Sequence, residues 1–136
     1  MVSNAFASVK GTVYVVDDER PVASLLESIL LEAGYEVFVS YGSEEALAEL
    51  RTFDGDIDLF IIDVVLPGLS GPDLAQELEP LFPRSAILFT SGYGQGAGAA
   101  LRRSNPEASF LPKPFVIAEV QSAAAAAIEK CRAAAG

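Results

Sequence analysis

The sequence predicts an α/β fold, a doubly wound parallel sheet of five strands in the order 2-1-3-4-5 with helices on both faces. Five short apolar runs alternate along the chain with stretches of helical periodicity, which is the pattern of strands buried on both faces. Right-handed crossovers between parallel strands then favour the doubly wound order. The chain has 136 residues, of which 51% are hydrophobic, so it is predicted to form one domain with a substantial core.

The predicted strands are short apolar or alternating runs. Val13–Val16 is rich in β-branched residues, and Tyr35–Ser40 has the alternation of a strand. Leu59–Ile62 is wholly apolar, which indicates a central strand covered on both faces. Ala86–Phe89 and Ser109–Leu111 complete the five.

The first two helices are predicted from apolar spacing and from the residues at their ends. The stretch 19–34 carries Pro21 in its first turn and Gly34 at its end. Ser43 is predicted to cap the second helix, which continues to Leu50.

The later helices give weaker signals. A turn over Pro67–Gly71 precedes a short third helix around Leu74–Leu78. The glycine-rich stretch 92–98 is predicted to make the fourth helix short and mobile, because glycine is a poor helix former. The Ala-rich stretch 115–132 is predicted to form the last helix.

Residues 1–10 are predicted to be a flexible segment and residues 11–133 the folded domain. The sequence has no apolar run long enough to span a bilayer. Its opening also lacks the basic region and apolar stretch of a signal peptide. We therefore expect a cytoplasmic protein without membrane insertion.

Charge and residue usage exclude several function classes. The chain has 19 Asp and Glu against 9 Lys and Arg, a net charge of −10, which argues against nucleic acid and anionic membranes as partners. It has no His, so imidazole bases, Ser-His triads, His-ligated metals and a phosphohistidine of its own are excluded. Its one cysteine, Cys131, allows no internal disulfide or Cys-rich zinc site.

Polar residues lie at the ends of four predicted strands, at equivalent positions of successive βα units. Asp17 and Asp18 follow the first strand and Asp63 the third. Thr90 follows the fourth strand, and Lys113 follows the fifth. Singly, each has an ordinary explanation as a helix cap, a strand end or an exposed lysine. Because the carboxyl ends of parallel strands meet at one edge of the sheet, their equivalent positions favour one site at the switch between strands 1 and 3.

The chemistry available to such a site is phosphoryl transfer assisted by a hard cation. Three crowded carboxylates raise their pKa values or require a cation, and a set of oxygen ligands favours Mg²⁺ before Ca²⁺. Asp63 is the predicted nucleophile because it stands alone on the central strand, whereas Asp17 and Asp18 form a metal pair. Thr90 and Lys113 would take oxygens of the transferring phosphoryl group.

Four motifs together resemble the receiver domain of two-component response regulators, over about residues 11–133. They are VYVVDDE, LFIIDVVLPGLSG, ILFTSGY and FLPKPF. The resemblance implies a flavodoxin-like receiver fold with Asp63 as the phospho-acceptor. It also implies that Asp17, Asp18, Asp63 and the backbone carbonyl of Val65 hold Mg²⁺.

The same resemblance implies a catalytic set of Asp63, Thr90 and Lys113, a switch pair of Thr90 and Phe110, and a cis Lys113–Pro114 bond. The phosphoryl donor would be a sensor histidine kinase or a histidine phosphotransfer protein. The chain would signal to a downstream protein target, with a weak homodimer also allowed. It would promote only its own phosphorylation and dephosphorylation. The SGY and LPKPF motifs look most like those of receivers in hybrid kinases, although free-standing receivers share them.

Two details depart from the best-known receivers. Val65 and Gly92, two residues beyond Asp63 and Thr90, offer no side-chain amide or carboxylate to orient a water molecule. We therefore expect slow hydrolysis of the aspartyl phosphate. Phe110 lacks the hydroxyl of a tyrosine switch, so packing alone would drive its movement.

Three alternatives remain at this point. An aspartate-nucleophile phosphohydrolase of the haloacid dehalogenase type needs a D-x-D pair, but Val64 and Val65 follow Asp63. A flavodoxin-like or nucleotide-binding module needs a phosphate loop after strand 1, and the glycines near position 92 follow strand 4. A degenerate receiver that signals without phosphorylation is disfavoured by the intact acidic set.

Overall fold

The structure is a computed structural model that describes residues 9–92 and 108–135. Its five strands are β1 (Thr12–Val16), β2 (Glu36–Ser40), β3 (Leu59–Asp63), β4 (Ala86–Ser91) and β5 (Ser109–Pro112). They form one parallel sheet in the order β2-β1-β3-β4-β5. The predicted fold class and strand order are therefore confirmed.

Helices cover both faces of this sheet. Those in the described part of the chain are α1 (Arg20–Glu32), α2 (Ser43–Leu50), α3 (Gly71–Leu78) and α4 (Ile117–Ala135). The helix predicted over 115–132 thus begins two residues later than expected. The predicted weak helix after the glycine-rich stretch and most of the predicted flexible segment lie outside the described residues. Among the residues described, no helix is both long and apolar enough to cross a lipid bilayer.

The alternation of side chains along the strands divides the core into two layers. Val13 and Val15 of β1 pack with α1 and α4 on one face, and Tyr14 and Val16 pack with α2 and α3 on the other. All five residues of β3 are buried, as expected for a central strand with helices on both sides. The sheet is thereby a rigid support whose carboxyl edge carries the polar residues.

The prediction that Ser43 caps α2 is wrong. Gly42 is the residue before the helix, and its extended backbone has no side chain to cap with. Ser43 is the first helical residue and is 1% exposed. Its hydroxyl instead donates a hydrogen bond of 2.6 Å to the carbonyl oxygen of Leu69. A long-range partner therefore replaces the local one, and the N-terminus of α2 is joined to the loop after β3.

Candidate functional site at the carboxyl edge of the sheet

The structure brings the five polar residues of the predicted site to one edge of the sheet. Asp63 is the last residue of β3 and Thr90 the next to last of β4, and the two are direct register partners. The carboxylates of Asp17, Asp18 and Asp63 each offer an oxygen atom, and these oxygens all lie within 4.8 Å of one another. The residues that were predicted to meet, from their equivalent positions after each strand, are thus close together in space. Their carboxylate oxygens are spaced so that they could hold a metal ion.

Lys113 supplies the positive charge of the site. Its Nζ lies 2.8 Å from Asp63 Oδ2 and 3.2 Å from Asp17 Oδ2. It also lies 3.3 Å from an oxygen of Glu19, an exposed residue that sequence reasoning did not assign to the site. The Lys113 amide donates to the carbonyl of Ser91, and the Lys113–Pro114 bond is cis. The backbone after β5 therefore presents the ammonium group to the carboxylates at the ends of β1 and β3.

For both partners of the Asp17–Lys113 ion pair, burial and the contact with the oppositely charged partner shift the pKa in opposite directions. Burial raises the pKa of Asp17, the nearby charge of Asp63 adds to it, and the Glu19 amide and Lys113 oppose it. Burial lowers the pKa of Lys113, but its hydrogen bond to Asp63 and the charges of both aspartates outweigh that effect and raise it. The lysine therefore stays protonated. One ammonium faces three carboxylates, so the site retains a negative charge that favours a further cation.

One buried hydroxyl in the site makes no hydrogen bond. Thr90 is 0% exposed, and its Oγ1 has no hydrogen-bond partner among the described residues. Asp17 is also buried, but its Oδ2 has the ammonium group of Lys113 at 3.2 Å as a charged partner. Buried polar atoms normally have a partner, so the hydroxyl of Thr90 beside an acidic cluster marks a place for a ligand.

Backbone contacts fix the carboxylate of Asp63 at the end of β3. The Val65 amide donates to Asp63 Oδ1 at 3.0 Å, and the Val64 amide donates to the carbonyl of Thr90 at 2.9 Å. The Gly71 amide then donates to the carbonyl of Val64 at 2.9 Å, which closes the loop of residues 64–70. The side chain of Val65 is 72% exposed, so this loop presents an apolar group to solvent beside the acidic site.

Gly71 lies against the end of β3, whereas the sequence predicted it only as a turn residue. A Cβ atom at this position would lie 2.2 Å from the carbonyl oxygen of Asp63 and 2.9 Å from the Cα of Val64. Both neighbours are backbone atoms and cannot rotate away. Glycine is therefore required here because α3 begins in direct contact with the backbone that carries the central carboxylate.

Phe110 lies on β5 next to the site and is half-buried. Its ring lies 5.6 Å from that of Phe89 on β4, at an interplanar angle of 33°. The side chain therefore has a packing partner on the strand that also carries Thr90. This is where the structure places the second residue of the predicted switch pair.

Together, the sheet and its edge define a class of protein: a small doubly wound α/β domain with an acidic, lysine-containing site at the switch between strands 1 and 3. Residues 13–125 match the family model of the response regulator receiver domain. The chain belongs to this family, and it is a receiver domain of two-component signalling.

Individual relatives agree with this assignment. The chain is 33% identical over 119 residues to the sensor kinase CckA of Brucella abortus, covering 88% of this chain and 13% of the relative. It is 33% identical over 126 residues to nodulation protein W of Bradyrhizobium diazoefficiens, covering 93% of this chain and 55% of the relative. The chain thus spans well under two thirds of either protein. A receiver domain structure from Clostridium thermocellum superposes with a TM-score of 0.79 at 27% identity, covering 91% and 98% of the two chains.

The electrostatics of Asp17 predict a stability effect in the metal-free protein. Because the folded-state pKa of Asp17 is raised, mainly by burial, its charge destabilises the fold at pH above that pKa. Asp17→Asn is therefore expected to raise the free energy of unfolding at pH 7 in the presence of EDTA. The advantage over wild type should shrink as the pH falls through the pKa of Asp17, since protonation then neutralises the wild-type carboxylate. Urea denaturation at several pH values measures it.

Asp18→Asn is the matched control for this experiment, because Asp18 is exposed and adjacent in the chain. It should leave the unfolding free energy of the metal-free protein close to that of wild type. A metal-free Asp17→Asn variant that is less stable than wild type at pH 7 would show that the Lys113 ion pair outweighs the desolvation of the carboxylate.

Proposed function

We propose that this chain accepts a phosphoryl group on Asp63 from a phosphohistidine of a sensor histidine kinase or a histidine phosphotransfer protein. The reaction depends on Mg²⁺, and the resulting aspartyl phosphate changes the contacts of the chain with a downstream protein. The observation that carries this proposal is the Asp63 carboxylate held 2.8 Å from Lys113, next to an acidic pair and a buried, unpartnered Thr90 hydroxyl. Because the chain contains no His, the donor imidazole belongs to another protein or domain.

The donor set suits Mg²⁺. Asp17, Asp18 and Asp63 provide closely spaced carboxylate oxygens with no nitrogen or sulfur ligand among the described residues. The backbone carbonyl of Val65 is the fourth ligand that we propose. When bound, Mg²⁺ supplies positive charge against the phosphoryl oxygens.

Side chains of this chain supply the other roles in phosphoryl transfer. A carboxylate oxygen of Asp63 attacks phosphorus, so a P–O bond forms while the P–N bond to the donor imidazole breaks. Lys113 neutralises charge on the transferred group, and its raised pKa keeps it protonated throughout. The hydroxyl of Thr90 donates to a phosphoryl oxygen, which gives this buried group the partner it lacks. Movement of Thr90 toward the phosphate and of Phe110 with it transmits the change to the surface.

Phosphorylation by a small donor tests this function directly. Incubation of the chain with acetyl phosphate and MgCl₂ is expected to add one phosphoryl group, seen as a single mass increase in the intact protein. The same incubation with EDTA should give none. A chain that gains no mass in the presence of Mg²⁺, or that gains it equally with EDTA, would overturn the proposed Mg²⁺-dependent mechanism.

The similarities support two settings for this activity. The chain spans 13% of the sensor kinase CckA but 98% of the receiver domain structure from Clostridium thermocellum, so we propose either the receiver of a hybrid kinase or a free-standing receiver. In both settings we propose a cytoplasmic site of action. We also propose that nucleic acid is not a direct partner, because the chain carries a net charge of −10.

The side chain at position 65 is expected to set the lifetime of the aspartyl phosphate. Val65 is 72% exposed, and neither it nor Gly92 can orient water for hydrolysis. The phosphorylated wild type should therefore persist for minutes. Val65→Gln should shorten the lifetime of the aspartyl phosphate roughly tenfold, because the added amide can orient a water molecule for hydrolysis. A general base would accelerate hydrolysis more, since it also takes a proton from the water. Release of inorganic phosphate after removal of acetyl phosphate measures both rates.

Val116→Gln is the control, since Val116 is a valine of similar exposure (54%) outside the loop of residues 64–70. It should leave the lifetime unchanged. Decay of the wild type within a few seconds in Mg²⁺ buffer would contradict the expectation of a persistent signal.

A further inference from the structure

The hydroxyl of Ser43 joins α2 to the loop that follows Asp63. Ser43 is 1% exposed, and its Oγ donates to the carbonyl oxygen of Leu69, 26 residues further along the chain, at 2.6 Å. The N-terminus of α2 is preceded by Gly42 and has no side-chain cap. The buried hydroxyl therefore serves the loop of residues 64–70 and not its own helix.

This loop is held by backbone bonds where it begins and where it meets α3. The Val64 amide donates to Thr90 on β4, and the Gly71 amide donates back to the carbonyl of Val64. The bond from Ser43 adds a tie from a separate helix at Leu69, on the returning arm of the loop. Three neighbouring elements thus fix a segment that directly follows Asp63 and includes the carbonyl of Val65.

We infer that Ser43 is a positioning residue for cation binding. By holding the carbonyl of Leu69, it limits the conformations of the loop of residues 64–70 and so keeps the Val65 carbonyl in register with the acidic cluster. This inference rests on the proposed function, in which Val65 contributes a backbone ligand. It also has a reciprocal consequence, because coupling between two equilibria is mutual. If the Ser43 bond raises the affinity for Mg²⁺, bound Mg²⁺ must stabilise the closed loop.

Ser43→Ala removes this bond, and Ser85→Ala is a matched control. Ser85 also donates its hydroxyl to a distant backbone carbonyl, that of Ile57, 28 residues away in sequence. Ser85 lies before β4, at the opposite end of that strand from Thr90. Both variants delete one hydroxyl that bonds to a main-chain oxygen, at a buried residue for Ser43 and at a half-buried one for Ser85. They differ in whether that oxygen belongs to the loop next to the site.

Two measurements on the intact chain test the inference. In calorimetric titration with MgCl₂, Ser43→Ala is expected to weaken binding by a factor of roughly 3 to 10, the range that one hydrogen bond contributes, while Ser85→Ala stays within about twofold of wild type. In the metal-free protein, exchange of the Gly71 amide should be several-fold faster in Ser43→Ala than in wild type. In Ser85→Ala it should be unchanged.

The outcomes separate this inference from the proposed function. If both variants bind Mg²⁺ equally well, or if Gly71 exchange is the same in both, Ser43 does not position the loop. If wild type binds no Mg²⁺ at all, the proposed metal site fails, and the exchange of Gly71 in the metal-free chain still decides whether Ser43 holds the loop. Faster exchange together with weaker Mg²⁺ binding in Ser43→Ala alone supports the inference.

Discussion

Asp63→Asn is expected to lower the rate of phosphorylation by acetyl phosphate and Mg²⁺ at least roughly 100-fold, because it removes the carboxylate proposed to attack phosphorus. The substituted side chain would still accept a hydrogen bond from the Val65 amide through its carbonyl oxygen. It would lose the negative charge that pairs with Lys113 at 2.8 Å. The geometry of the loop should therefore survive while the chemistry is lost. Intact-mass spectrometry over a time course measures the phosphorylated fraction.

Asp58→Asn is the matched control for this substitution. Asp58 directly precedes β3, at the end opposite Asp63, and it too accepts a backbone amide hydrogen bond and pairs with a cation, Arg132. This variant should be phosphorylated at the wild-type rate. If Asp63→Asn still gains a phosphoryl group at a rate near wild type, another residue is the acceptor, and the assignment of the nucleophile is wrong.

Gly71→Ala is expected to lower the free energy of unfolding by about 3 kcal/mol, at the upper end of what overpacking a rigid site costs. The added methyl group would overlap the carbonyl oxygen of Asp63, because an ideally placed Cβ atom at position 71 lies only 2.2 Å from that oxygen. To relieve the overlap, either the end of β3 or the start of α3 must move. Because Asp63 is attached to the displaced backbone, phosphorylation should fall together with stability.

Gly42→Ala is the control for this second substitution, because a Cβ atom there would meet nothing within 4 Å. Its effect on stability should stay below about 1 kcal/mol, the cost of a poorer residue in front of a helix. Urea denaturation of both variants gives the comparison. Equal losses of stability in the two variants would show that the close contact at Gly71 relaxes without cost.

The fold could be predicted from the sequence because its strands are short apolar runs that are separated from one another by stretches of helical periodicity. Leu59–Ile62 indicated a central strand, and Asp63 was expected to stand at its end. The structure confirms Asp63 as the last residue of β3, paired with Thr90 on β4. The polar residues of the site were predictable for a related reason: parallel strands place equivalent positions at one edge.

The supporting contacts of the site could not be predicted in the same way. Ser43 in front of a helical pattern is typical of a cap, and nothing nearby in sequence reveals a partner at Leu69. Gly71 in a turn gives no sign that the carbonyl of Asp63 lies against it. Both roles depend on how α2 and α3 meet the loop after β3, which is a property of tertiary packing. Sequence patterns predict the reacting groups, whereas the structure shows which contacts hold them in place.

The contact of Lys113 with both Asp17 and Asp63 has a consequence for how the proposed site would bind a cation. The ammonium group is a built-in counterion that holds the carboxylates at the ends of β1 and β3 near each other in the metal-free protein. If the site binds Mg²⁺ as proposed, its ligands are therefore preorganised, and an arriving cation does not have to gather them from separated positions. We then expect the loss of water by the ion itself to be the slow step of binding, since Mg²⁺ dehydrates reluctantly.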